Sequence, residues 1–250
     1  MTEQNARSEA DHRLKVLAIV PARGGSKGLP GKNVKTIAGK PLLAWTIAQS
    51  KGARLLTRTI VSTDSETIAE IAREHGADIP FLRPAELAQD TSPTADAVIH
   101  ALDCLQAEGE RYDFVAILEP TSPLRQSSDI DRAVSLLADN PNCESLVSAG
   151  EIHTEHPLIA KRIVENRAIP YFDSNISIHQ RQQADSSYFP YGVIYLSQVD
   201  AFRRNRSFYS ASTLPMLIER WQNYEIDDEI DFMIVERLLE RYGNRVTGKR

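Results

Sequence analysis

Between Ala22 and Asn33 the chain reads ARGGSKGLPGKN, with four glycines, three cations and no acid. Residues without a Cβ let backbone amides approach oxygen atoms closely, and Arg23, Lys27 and Lys32 add positive charge, a combination that cradles phosphates. Lys35 and Lys40 extend the run, so residues 21–40 hold five cations and no acid in a chain of formal net charge −5. A patch this small suits a small polyanion better than a duplex, and an acidic chain of pI about 5.7 argues against nucleic acid. The Walker pattern fails twice, because Ser26 stands where its first glycine belongs and Asn33 where its hydroxyl belongs. GGSKG does not supply the dinucleotide fingerprint either. What remains is a triphosphate cradle.

Near the other end, YEIDDEIDF sets Glu225 and Asp227 two apart. On a strand end both side chains would face one side of the sheet, and two carboxylates aimed at a phosphate-filled pocket imply a cation between them. Asp228 and Asp231 suit the start of the last helix, where acids favour the dipole. His153 and His156 form an HxxH without a third ligand and read as ordinary residues. Cys104 and Cys143 read as reduced thiols of a cytoplasmic protein. No stretch reaches the roughly 18 apolar residues of a membrane span.

The elements that must carry these residues alternate as in βαβ units around a mostly parallel sheet. Strands are predicted over 16–20, 59–63, 79–82, within FVAILEP, and over 144–149, 193–196 and 223–226. Helices are predicted over 41–51, 65–75 with Ser65 as cap and Gly76 as stop, up to about 107, over 127–139, and up to about 242. Residues 1–13 read as a loose tail and 14–250 as one domain. Within it, 151–190 lacks a sustained period and reads as an excursion, an oligomerisation arm. A glycine loop directly after the first strand lies where open α/β sheets bind ligands.

PARGGSKGLPGKN resembles the signature of the CMP-sialic acid synthetase family, the cytidylyltransferases that activate nine-carbon 2-keto sugar acids. VSTDSETIAEIAREHGA, FLRPAELAQDTSPTADAV, PTSPLR, HPLIAKRI and YEIDDEIDF resemble further family blocks in the same order, across most of residues 16–240. The resemblance implies a GT-A-like α/β nucleotidyltransferase fold and a homodimer whose arm, residues 151–190, completes the partner's site. The implied reaction joins the anomeric 2-hydroxyl of the sugar acid to the α-phosphorus of CTP, with Mg²⁺, giving the CMP-sugar and pyrophosphate.

By the same resemblance Ala22, Arg23, Gly24, Ser26, Lys27, Lys32 and Asn33 hold the nucleotide, with Arg83 and Thr94. Arg23, Lys32 and Asp227 bear on catalysis, and Asp227 with Glu225 holds the metal. Lys161, Arg181 and Gln182 meet the sugar acid. The chain departs from the family at Glu119, where Gln is usual, and at Tyr191, where Asn is usual, and both fall on the acceptor side. Two readings of Glu119 stand: it recognises a changed substituent on a legionaminic, pseudaminic or deaminated acid, or it is an extra metal ligand. Alternatives of other classes are a non-catalytic nucleotide-binding module of the same fold, and a nucleotidyltransferase for an eight-carbon keto acid or a sugar 1-phosphate.

Overall fold

The computed structural model describes residues 14–153, 155–171 and 185–246. Its elements, in chain order, are β1 (Val16–Pro21), a small hairpin of β2 (Thr36–Ile37) and β3 (Lys40–Pro41), α1 (Leu42–Gly52), β4 (Arg58–Ser62), α2 (Glu66–Glu74) and α3 (Thr94–Ala107). There follow β5 (Phe114–Ile117), α4 (Ser127–Ala138), β6 (Ser145–Glu151), a hairpin of β7 (Lys161–Val164) and β8 (Arg167–Pro170), β9 (Tyr188–Gln198), α5 (Val199–Asn205), β10 (Thr213–Leu217) and α6 (Glu229–Val246). Six strands form one sheet in the order β10-β6-β9-β5-β1-β4. β1 runs parallel to β4 and β5, and β6 parallel to β10. β9 alone runs antiparallel, between β5 and β6.

Period-two alternation sends the first strand's side chains to both faces of the sheet. Val16, Ala18 and Val20 pack against Leu43, Ile68 and Val134 of α1, α2 and α4. Leu17 and Ile19 pack against Val98, Leu102 and Leu105 of α3 and Phe202 of α5. A strand buried on both faces reads as an unbroken apolar run, as VLAIV does. A third cluster ties Leu29 of the glycine loop and Ile37 of β2 to Trp45, Trp221, Phe232 and Val235. It fixes the start of α6 against the glycine loop, which is what brings the two ends of the chain to one place.

Two predicted strands are not strands. At 79–82 there is no strand; an isolated parallel bridge, Asp78 to Ile60, lies just before it. At 223–226 a 3-10 turn (Arg220–Gln222) leads into an irregular segment. Asn223 donates to the Glu151 carbonyl, and the Ile226 amide to that of Thr121. Single bonds to separate partners replace a ladder, so Glu225 and Asp227 do not sit on a strand whose pitch would turn both side chains to one face. Neither α5 nor β10 was anticipated. At the start of α6, Asp228 accepts from the amides of Ile230 and Asp231, and Asp231 accepts from that of Asp228, as their place at a helix start predicts.

Candidate active site

The glycine loop leaves the carboxyl end of β1 and is braced from several sides. The Ala22 amide donates to the Ser62 carbonyl at 3.0 Å, and the Gly24 amide to Asp64 Oδ1 at 2.9 Å. Buried Asn33 donates from Nδ2 to the Arg23 carbonyl at 3.1 Å. A Cβ on Gly28 would lie 2.4 Å from the Asp227 carbonyl oxygen, so only glycine allows this approach. Lys32, with its side chain only 12% exposed, donates to the Ile226 carbonyl at 2.6 Å and reaches Asp227 Oδ1 at 3.2 Å. Its ammonium therefore joins the loop to the segment that carries the metal candidates.

A cleft of about 240 Å³ opens beside this loop, lined by Arg23, Arg83, Asp90, Ser92, Thr94 and Glu119 among others. Arg83 is buried; it donates to the carbonyls of Ser62 and Leu87, and its Nε has no partner among the described residues. Burial pulls its pKa down. Thr94 opens α3 without capping it. A second cavity of about 390 Å³ shares Pro93, Thr94 and Glu119 with the cleft and is otherwise lined largely by Tyr195, Phe202, Arg206, Phe208 and Tyr209. Burial pushes the phenols of Tyr195 and Tyr209 up, so both stay neutral hydrogen-bonding groups at ordinary pH.

Glu119 is the carboxylate that borders both spaces. It keeps some surface along them, yet its carboxyl lies deep among protein atoms, and burial, followed by the charge of Glu225, pushes it up to about 7. Behind it, fully buried Arg125 donates to the carbonyls of Glu119 (2.9 Å), Gly192 (2.8 Å) and Val193, and to Gln49 Oε1 (3.1 Å) and Thr46 Oγ1 (3.3 Å). This guanidinium clasps the end of β5 to β9 and α1. Gly192 is where β9 passes the two acids: a Cβ there would lie 2.7 Å from Glu119 Cγ and 2.8 Å from Glu225 Oε1.

The structure gathers Arg23, Arg83, Thr94 and Glu119 around the cleft and places Ala22, Gly24, Asn33 and Lys32 in the loop that supports it. Ser26 and Lys27 lie on the same loop, part-exposed and exposed. Glu225 and Asp227 do not act as a side-by-side pair. Glu225 Oε1 accepts from Ser122 Oγ at 2.8 Å and from the Gly192 amide, whereas Asp227 is 85% exposed and meets Lys32. Among the described residues no three His, Cys, Asp or Glu side chains form a ligand set. Tyr191 lines neither cavity and packs edge-on to Phe189 at 5.1 Å. Lys161 is exposed on the β7–β8 hairpin, which contributes nothing to either cavity. Arg181 and Gln182 lie outside the described residues. His156 accepts from the Leu158 amide and meets the Asp185 carbonyl through its other nitrogen, so both its ring nitrogens serve the backbone.

Sequence reasoning missed Asp90, Arg125 and the aromatic cavity. Asp90 and Arg125 sit inside quoted motifs, AQDTSPT and PTSPLR, where their neighbours drew the argument. The cavity residues come from β9, α5 and the SFYS segment, which no local pattern links.

The cytidylyltransferase family model matches residues 17–236. CMP-N,N'-diacetyllegionaminic acid synthase of Legionella pneumophila is 36% identical over 230 residues, 91% of this chain and 97% of that protein. Pseudaminic acid cytidylyltransferase of Campylobacter jejuni is 32% identical, over 91% of this chain and 97% of that protein. N-acylneuraminate cytidylyltransferase of Escherichia coli is 33% identical over 92% of this chain, which spans only 53% of that longer protein. Among solved structures, CMP:2-keto-3-deoxy-manno-octonic acid synthetase complexed with CTP superposes with a TM-score of 0.68 at 15% identity, covering 91% of this chain and 99% of the other. At that identity the likeness concerns the fold.

Proposed function

The chain belongs to the cytidylyltransferase family, and on that premise we propose that it transfers CMP from CTP to a nonulosonic acid, releasing pyrophosphate. The observation that carries this reading is the pair of adjoining cavities, one walled by Arg23 and Arg83, the other aromatic, meeting at Thr94 and Glu119. The first suits the nucleotide and the second the acceptor, so the attacking hydroxyl and the α-phosphorus would meet at their shared wall.

Phosphoryl transfer asks a protein mainly for positioning and for charge against the phosphates. Arg23 and Lys27 supply charge toward the leaving pyrophosphate, while Lys32 holds the loop against residues 226–227. Arg83, on the cleft wall, adds a second guanidinium charge toward the nucleotide. Mg²⁺ suits one or two carboxylates together with substrate phosphates, and exposed Asp227 fits such a site, with Glu225 beside it in sequence. The metal would supply charge neutralisation and a more acidic acceptor hydroxyl. Glu119 suits an acceptor that presents a donor, an amine or hydroxyls, at the wall the two cavities share.

We further propose a cytoplasmic homodimer. Ile163 and Val164 of the β7–β8 hairpin are exposed, as are Tyr188 and Phe189 at the start of β9; exposed apolar side chains of this kind suit a subunit contact, from which Lys161 would serve the partner's acceptor. The free thiols of Cys104 and Cys143 fit a reducing compartment.

The test is pyrophosphate release with CTP, Mg²⁺ and, in parallel, legionaminate, pseudaminate, N-acetylneuraminate, deaminated neuraminate and an eight-carbon acid. Turnover of a nine-carbon acid is expected, and it should cease when EDTA removes the metal. Bound CTP with no turnover on any acid would favour a non-catalytic nucleotide-binding module.

A further inference from the structure

Asp90 stands in the cleft with one carboxylate oxygen on each of two loop cations, Oδ1 at 2.8 Å from Arg23 Nη1 and Oδ2 at 2.5 Å from Lys27 Nζ. Among the described residues it is the only carboxylate paired with either cation. From this geometry we infer that Asp90 competes with ligand phosphate for Arg23 and Lys27, giving the cations up when the nucleotide enters and taking them back as pyrophosphate leaves.

A carboxylate spread over two cations presents the same anionic oxygens that a phosphate would, in the same place. The third cation of the loop differs: Lys32 is largely buried and committed to the Ile226 carbonyl. The exchangeable charge is therefore the charge Asp90 holds. The loop that carries Asp90 does not need this contact for its shape. Ser92 closes it, its amide donating to the Gln89 carbonyl and its hydroxyl to the Glu86 carbonyl at 2.7 Å. The Lys27 side chain is 81% exposed and those of Arg23 and Asp90 about a third exposed, so solvent screens both pairs and a multiply charged phosphate can outcompete them. The hydrogen bond from Lys27 also holds the Asp90 carboxyl below its usual range, which keeps it anionic.

The inference rests on the nucleotide reading of the cleft, and the test separates the two. CTP, pyrophosphate and cytidine are titrated calorimetrically into wild type, Asp90→Asn and Asp90→Ala at low salt without acceptor, with thermal unfolding as the folding control. Loss of the competitor is expected to tighten pyrophosphate and CTP by about three- to tenfold, the size expected of two exposed ion pairs. Cytidine, which has no phosphate, should be unchanged. The inhibition constant of pyrophosphate in turnover should fall by the same factor. Equal or weaker pyrophosphate binding in both folded variants overturns the inference, because Asp90 would then be a bystander or a support for the cations. Wild type that binds pyrophosphate but neither CTP nor cytidine refutes the nucleotide reading, while the Asp90 comparison is still decided by pyrophosphate. Wild type that binds none of the three refutes both.

Discussion

Replacing Arg125 with Met keeps an unbranched stem out to about the position of Nε and removes every donor. The carbonyls of Glu119, Gly192 and Val193 lose the partner that joins them. Three stranded buried acceptors at about 1–2 kcal/mol each cost about 3–6 kcal/mol. Part is offset, because the guanidinium no longer has to be desolvated, a strain visible in its pKa being pulled down to about 10. A net loss of about 2–4 kcal/mol is expected. For a chain this long, 1 kcal/mol corresponds to about 2–4 °C, so the melting temperature should fall by about 4–16 °C. Arg125→Lys keeps the charge but reaches fewer acceptors and should fall between. Because the same clasp sets the wall between the cavities, Arg125→Met should also lose turnover at temperatures where it remains folded. Thermal unfolding by circular dichroism, paired with pyrophosphate release, reads both. A melting point within about 2 °C of wild type would mean that the carbonyls find other donors and that Arg125 is not the clasp described.

Glu119→Gln tests the raised carboxyl. A folded pKa of about 7 against 4.5 for a free carboxyl means that the folded state binds this proton more tightly. Stability from this group is therefore full below about 4.5, falls as pH rises to about 7 and is flat above, by on the order of 3 kcal/mol in all. The metal-free variant should lack that slope in melting temperature against pH, and equal slopes would refute the account. Lys32→Met removes the ammonium between the glycine loop and residues 226–227 and should lower kcat/KM for CTP by about 10²-fold; undiminished kcat/KM would show that the loop needs no such brace. Asp227→Asn should raise the Mg²⁺ concentration needed for half-maximal turnover more than Glu225→Gln does, since Glu225 Oε1 is already engaged by Ser122 and Gly192. The reverse order would assign the metal to Glu225. Ile163→Asp, on the hairpin, should convert a dimer to a monomer in sedimentation, and an unchanged mass would move the interface elsewhere.

The parts of the fold that could be read from the sequence are those dictated by neighbours along the chain. VLAIV is a doubly buried strand whatever surrounds it, and Ser65 accepts from the Ile68 amide at the start of α2 as a cap should. Gly76, at φ +73°, ends that helix. β10 was hidden because TLPML carries a proline and only its pairing with β6 at the sheet edge makes it a strand. The segment at 223–226 misled for the opposite reason. NYEI has strand composition, but the capping box of Glu219 and Gln222 turns the chain just before it, and Ile226 is drawn into the cluster under α6.

The site divides along the same line. That Arg23, Lys32 and Asn33 share one loop was legible, because the glycine pattern that exposes backbone amides also tells which cations lie near. Asp90 was not, since an acid in a polar loop has no meaning until the fold sets it against Arg23 and Lys27, 67 and 63 positions away in sequence. Glu119 stands between these cases. Its type departs from the resembling family and so drew notice, but its chemistry comes from the fold around it: Arg125 fixes its carbonyl, Gly192 leaves space for its methylenes, and burial, followed by the charge of Glu225, raises its pKa. A substitution at Gly192 should therefore disturb Glu119 even though it leaves both acids in place. A Cβ there must displace the Glu119 methylenes or break the bond between Glu225 and the Gly192 amide, and either shift moves the wall at which the two cavities meet.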